Sequence, residues 1–377
     1  MTLHWTEADG VLTCRDGDAV VFRDTADHWT NAVCRLLGLS DEQGRAWVAH
    51  VAAAARGTYG RSLAALDGHD TIEALAAGSR AAFPVPAGHV DPPLPVTPGT
   101  CGHAPGRFWS TWMSEAAGFA IAGCGRCDHG WLVDLRRADQ KLVETVAYDQ
   151  AYFEGAEHGL GYGNYLQQQG WRLEKARRLL RQVSAACLYG NVAPPDDRRA
   201  LDVGSGYGVF RKALDEQGWR HDGVELSQYA CDVGKKLFGY DTFAGFAEDF
   251  LARRNAAGRY HLVTLWDVIE HVPDVPATLR TMHDLLAPGG VLAIRTPSIA
   301  AVERHVFGGA YHSYKKEHLN YFSPRSLTRF LAEAGLETVL VATQSHLLNG
   351  FFHDKPGGSL FDRTLSGSDI FQVAVRR

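Results

Sequence analysis

The 377-residue sequence has no apolar run approaching the ~20 residues needed to cross a bilayer, and its first ten residues, MTLHWTEADG, are polar. Neither a membrane span nor a secretory leader is expected, and a cytoplasmic location is. Positive charge is not in excess. The 38 Lys and Arg stand against 43 Asp and Glu, a formal net charge of −5. That argues against a surface built for nucleic acid. Cysteine is sparse. The seven residues, at 14, 34, 101, 124, 127, 187 and 231, are odd in number and mostly far apart, so no disulfide framework follows from them. There is no internal repeat and no long low-complexity tract. What is present, 45% hydrophobic and 21% charged residues, suits a globular chain long enough for two or three domains.

Residues 1–83 read as a small unit of their own. In GVLTCRDGDAVVF two apolar runs flank Asp16-Gly17, a hairpin-turn pair. Trp29, Val33, Leu36 and Leu37 then fall at helical spacing, followed by WVAHVAAAA. The unit carries no reaction centre; packing, dimerisation and a lid over substrate are its open roles. Six prolines within residues 84–98 fix φ and remove backbone donors, so 84–100 is a linker. From Trp171 to Cys187 the pattern is helical. Leu173, Leu179, Leu180 and Val183 make its apolar side, and Arg172, Lys175, Arg177, Arg178 and Arg181 a basic one that reads as a solvated helix face.

From Arg199 strand and helix patterns alternate, which predicts a mostly parallel sheet covered by helices. Ligands bind such sheets at the carboxyl ends of the strands. The first strand runs into LDVGSGYG. Its glycines at 204, 206 and 208 are spaced G-x-G-x-G rather than the dinucleotide G-x-G-x-x-G, and Asp202 stands just before them. A carboxylate there repels a pyrophosphate and suits a cationic ligand without phosphate; a glycine turn holding no ligand is the plainer alternative. Glu225 ends the second strand, where a carboxylate can accept from both ribose hydroxyls or simply solvate the strand end. Phe246, Ala247 and Glu248 follow the third strand, where an adenine could rest.

LDVGSGYG, VELS, LWDVIEHVPD, LLAPGGVLAIRTP and DIFQVAVRR, in this order over residues 199–377, resemble the successive motifs of class I S-adenosylmethionine (SAM)-dependent methyltransferases. The resemblance implies an α/β, Rossmann-like fold with a seven-stranded, mostly parallel sheet and an antiparallel last strand. It implies SAM as methyl donor, with Asp202, Gly204, Ser205, Gly206 and Gly208 at its methionine end. Glu225 falls at the ribose and Asp267 on the wall after the fourth strand. A looser likeness reaches back to residue 101. The cysteine-rich stretch, YDQAYF and YHSYKKEHLNYFSPRSL resemble a subgroup many of whose members modify sugars or other small metabolites; a composition rich in Ala, Gly and Arg fits natural-product tailoring. On that likeness, 101–150 is a zinc-ribbon-like element and 151–198 a helical cap.

Cys124-x-x-Cys127 is half of a zinc-ribbon pattern. Cys101 and His103 are the only residues to complete it, either as a structural zinc site or as a knuckle without metal. Asp267-x-x-Glu270-His271 resembles an E-x-x-E-H arrangement of ubiquinone-pathway O-methyltransferases that suggests a divalent metal; the other roles for His271 are a base or a packing residue. Methyl transfer requires a hydroxyl or protonated amine to lose a proton, and His271 and His318 are the candidate bases. Tyr311, His312, Glu317, Asn320 and Tyr321, after the fifth strand, are candidates to hold a polar small-molecule acceptor, with half of the aromatics expected only to pack. The competing readings are an RNA or protein methyltransferase reading its target through the zinc element, and a SAM-binding module without catalysis. A homodimer is compatible with the sequence.

Overall fold

The computed structural model describes residues 3–8, 11–16, 19–25, 101, 110–113, 119–124, 126–134, 148–154, 165–166, 168–193, 195, 197–301, 311, 313–315, 317–344, 365 and 367–377. The Pro-rich linker, the helical patterns between Trp29 and residue 55, His103 and His312 lie outside them. The described residues fall into two compact units. One draws on 1–140, 297–326 and 342–370, the other on 141–296, 327–341 and 371–377.

In the first unit, β1 (Leu3–Ala8), β2 (Val11–Asp16) and β3 (Ala19–Thr25) form an antiparallel sheet. Asp16 pairs with Ala19, which closes the hairpin expected around Asp16-Gly17. A second antiparallel sheet contains β4 (Ser110–Met113), β5 (Phe119–Gly123) and β6 (Gly130–Asp134). Its edge is completed by the two-residue β12 (Asn320–Tyr321), which pairs Asn320 with Trp131.

The second unit begins with the short helix α1 (Gln150–Glu154) and the long α2 (Gln169–Tyr189). It continues through β7 (Arg199–Val203), α3 (Val209–Glu216), β8 (Arg220–Glu225), α4 (Gln228–Phe238), β9 (Phe243–Ala244), α5 (Ala247–Arg254) and β10 (Tyr260–Trp266). Then come α6 (Val275–Leu285), β11 (Leu286–Pro297), α7 (Pro324–Glu333), β13 (Leu336–Gln344) and β14 (Asp369–Arg376). The seven strands lie in the order β13-β14-β11-β10-β7-β8-β9. The pairs from β11 to β9 are parallel, and the sheet ends in an antiparallel strand pair. This is the Rossmann-like sheet that the alternating pattern predicts.

Helix starts follow their caps. Ser227 Oγ accepts from the Ala230 amide at 3.1 Å, Asp274 Oδ1 from Ala277 at 2.8 Å, and Ser323 Oγ from Ser326 at 3.0 Å. Each satisfies a donor that the first helical turn leaves open. The apolar side of α2 (Leu179, Leu180, Val183) packs with Phe210 and Leu214 of α3 onto Ala200, Leu262 and Val373 of the sheet. Each such buried leucine contributes about 1.5–3 kcal/mol and fixes the strand ends that carry the site. Among the described residues no helix is long and apolar enough to cross a membrane.

Candidate functional site

The carboxyl ends of β7, β8 and β10 open into a cavity of about 370 Å³, lined by residues between Tyr148 and Arg295. Asp202, the second-last residue of β7, lies opposite Thr264 in the parallel register, and Thr264 Oγ1 donates to its Oδ1 at 2.7 Å. Asp202 is 1% exposed. Burial pushes its carboxyl up to about 7, and the Glu225 charge adds to the shift, while Thr264 and Arg211 oppose it. The chain then turns through Gly204, Gly206 and Gly208 with φ of +70°, +52° and +85°. Glycine takes this left-handed region without steric cost. A Cβ on Gly204 would run into Val268 Cγ2, and one on Gly206 would lie 3.2 Å from Tyr165 Oη.

Glu225, at the end of β8, is tied to this loop from below. Its Oε2 accepts from the Gly206 amide at 2.8 Å and its Oε1 from the Ser227 amide at 2.9 Å. Burial raises its pKa. Beyond β9, Phe246 is 54% exposed beside buried Ala247, and both line the cavity with Glu248. Asp267 follows β10 with φ +58°; Arg295 Nη1 donates to its Oδ1 at 2.6 Å.

Of the ten residues expected to hold the cofactor, nine line this cavity, and His271 lines it with them. Gly208 does not; it is the left-handed N-cap of α3. His271 Nε2 is 4.0 Å from Glu270 Oε1. Glu270 is buried and accepts from Thr296 Oγ1 at 2.9 Å. Burial, reinforced by the Asp267 charge, pushes its carboxyl up to about 8. Asp267, Glu270 and His271 do not form a ligand-spaced group among the described residues, because the Asp267 carboxylate is turned to Arg295.

Tyr311, Glu317, His318, Asn320 and Tyr321 belong to the other compact unit, where all five are buried. Tyr311 Oη donates to the Ser298 carbonyl at 2.8 Å, and Tyr321 Oη to the Lys315 carbonyl at 3.0 Å. His318 Nδ1 sits 2.8 Å from the Ser313 carbonyl. These polar atoms are bonded within their own unit.

Sequence reasoning missed the aromatic wall and two cations. Tyr148, Tyr152, Phe153 and Tyr165 line the cavity. Phe153 stacks on Tyr207 at 5.1 Å, and Tyr165 meets Tyr207 edge-on at 4.7 Å. The Arg172 guanidinium lies 3.7 Å from the Tyr165 ring centroid. Arg172 and Lys175, expected on a solvated face, line the cavity. Arg177 and Arg181 do face outward, paired with Glu216 and Glu174. The signal was there: 172, 175, 176 and 179 share one helical face, and buried Ala176 and Leu179 mark it as the inner one.

The sequence and fold comparisons bear on this geometry. A family model described as a methyltransferase domain matches residues 169–341. The ubiquinone biosynthesis O-methyltransferase of Aromatoleum aromaticum is 30% identical over 165 residues, 40% of this chain and 68% of that one. This chain belongs to the class I SAM-dependent methyltransferases. The ubiquinone biosynthesis O-methyltransferase of Thiobacillus denitrificans is similar to the same degree, 30% over 164 residues, 39% of this chain and 67% of that one. A SAM-dependent methyltransferase from Archaeoglobus fulgidus superposes with a TM-score of 0.42 at 17% identity, covering 56% of this chain and 98% of that one. As a member of the family that the curated relative shows, the chain is a SAM-dependent methyltransferase. Its cavity combines a glycine turn, two buried carboxyl groups and a half-exposed aromatic ring.

In the first unit, Cys101, Cys124 and Cys127 are buried with their sulfurs within 4.8 Å of one another. The Cys124–His129 turn is tight: the Cys124 amide donates to the His129 carbonyl at 2.8 Å and Asp128 donates back at 2.9 Å. Burial pushes the Cys127 thiol up to about 12.

Proposed function

We propose that the enzyme transfers the SAM methyl group to a hydroxyl of a small molecule. The observation that carries this reading is that His271 lines the same cavity as the acid-rich glycine loop. Asp202 holds the donor's ammonium, Glu225 its ribose hydroxyls, and Phe246 its adenine face. Arg172, stacked on Tyr165 over Gly206, holds its carboxylate. SAM bound there supplies a carbon already activated for in-line displacement, so the protein mainly aligns and dehydrates the reactants. His271 takes the proton from the acceptor hydroxyl. The naming of both relatives as O-methyltransferases supports oxygen as the acceptor atom.

The test is S-adenosylhomocysteine (SAH) formation from SAM over a panel of small phenols and alcohols, with product masses. His271→Ala is expected to lose turnover roughly 10²–10⁴-fold while keeping SAH affinity. Wild-type rates in His271→Ala would remove it as the base. Methylation of RNA with a steep salt dependence would replace the small-molecule reading.

The buried Cys101, Cys124 and Cys127 cluster supports a second, structural proposal. Three thiolates would hold a zinc ion, His103 being the candidate fourth ligand. Such a site is closed and takes no part in the chemistry. Metal analysis of the purified chain is expected to give one zinc per chain and Cys124→Ser to lose it; a zinc-free, equally stable wild type would contradict it.

A further inference from the structure

Beneath the glycine loop a row of buried polar groups crosses the sheet. Thr264, Asp202 and Gly223 are successive partners in the parallel registers of β10, β7 and β8. Parallel partners share a face, so a side chain at 223 would stand beside Asp202. Gly223 has none, and its place is filled from α3. Arg211 Nη1 lies 2.7 Å from where its Cβ would be, and Ser205 Oγ 3.0 Å. Ser205 Oγ is itself buried without a protein hydrogen-bond partner.

Arg211 is 3% exposed, and a closed ring of contacts fixes it. Its Nε donates to His221 Nδ1 at 3.1 Å, its Nη1 to Thr242 Oγ1 at 2.8 Å, and its Nη2 to the Asp241 carbonyl at 3.2 Å. His221 Nε2 is 2.8 Å from Asp215 Oδ1. The Tyr240 hydroxyl donates to the other Asp215 oxygen, and the Tyr240 ring lies 4.6 Å from the guanidinium carbon. With Nδ1 accepting, His221 is neutral, in line with burial lowering its pKa.

Burying a cation this deeply is costly unless it is hydrogen-bonded and faces negative charge, and the Asp202 charge is the largest influence that favours the Arg211 cation. We propose that Arg211 is a positioning residue for the donor site: lodged in the space left by Gly223, it sets the charge of Asp202 and so the pH range over which the methyl donor binds. The inference rests on the reading that Asp202 holds the donor's ammonium. The charged and titratable groups acting on Asp202 are Arg211 from α3, Glu225 from β8 and the Tyr165 hydroxyl ahead of α2, with Thr264 on β10 as its hydrogen-bond donor. Arg211 is the cation among them, and it opposes the burial that favours the neutral acid.

The experiment is SAH affinity by calorimetry from pH 5.5 to 8.5 on the full chain. Wild type is expected to bind more tightly as pH rises through about 7, releasing a proton. Arg211→Met is expected to move that midpoint up by about one pH unit, which weakens binding roughly fivefold at about pH 7. Arg211→Lys keeps the charge without the fork. It is expected to hold the wild-type midpoint even where its melting temperature falls, which a purely structural role would not allow. Gly223→Ala, which displaces the guanidinium, is expected to behave as Arg211→Met and serves if that variant fails to fold. A midpoint unchanged in both Arg211→Met and Gly223→Ala overturns the inference. If Asp202→Asn instead keeps the wild-type affinity and pH profile, the underlying reading of Asp202 fails.

Discussion

The Gly206 amide donates to Glu225 Oε2 at 2.8 Å, which ties the glycine loop after β7 to the end of β8. One carboxylate thus shapes the loop and faces the cavity. Glu225→Ala removes the acceptor for the buried Gly206 and Ser227 amides. Each orphaned donor costs about 1–3 kcal/mol, so a loss of about 2–6 kcal/mol in unfolding free energy is expected, along with a more than tenfold weaker SAH complex. Glu225→Gln keeps one acceptor oxygen and should fall between. Denaturant midpoints and calorimetry check both.

Asp202 makes the free enzyme's stability depend on pH. Its folded pKa of about 7 lies above the ordinary 3.8, so the folded chain holds this proton more tightly than the unfolded one. No penalty exists below pH 3.8; it accumulates as pH rises and is complete above about 7. Asp202→Asn lacks this titration. Its melting temperature relative to wild type should therefore rise between pH 5 and pH 7.5. A constant difference across that range would count against the shift.

Arg172 is assigned to the donor's carboxylate. Arg172→Gln should weaken SAH roughly tenfold, the size of a charge-assisted hydrogen bond. Its affinity for the decarboxylated analogue should match that of wild type. Equal losses for both ligands would mean that Arg172 acts only by packing on Tyr165.

Local segments carried much of this site openly. Gly204, Gly206, Glu225 and Phe246 each sit within a few residues of a strand end, and strand ends show in an alternating hydrophobic pattern. Other features depend on pairings that no local pattern encodes. Arg172 and Arg211 lie in charged helical stretches, and only the packing of α2 and α3 on the sheet turns them inward. Nothing local marks Gly223 as the place where the Arg211 guanidinium lodges. The pairing of β12 with β6 joins residues almost 190 positions apart in the chain. The thiol cluster was legible because Cys124 and Cys127 share one turn, with Cys101 brought to them by the fold.

The most direct measurement of the central claim, that the glycine-loop cavity holds the methyl donor, is SAH binding to wild type and to Gly206→Asp. Gly206 holds φ +52°, and a Cβ there would crowd Tyr165 Oη at 3.2 Å; the substitution also puts a carboxylate against Glu225. Calorimetry is expected to show one SAH per chain for wild type and at least tenfold weaker binding for Gly206→Asp, in a variant that still folds. Equal affinity in a folded Gly206→Asp, or no binding by wild type, would contradict the account.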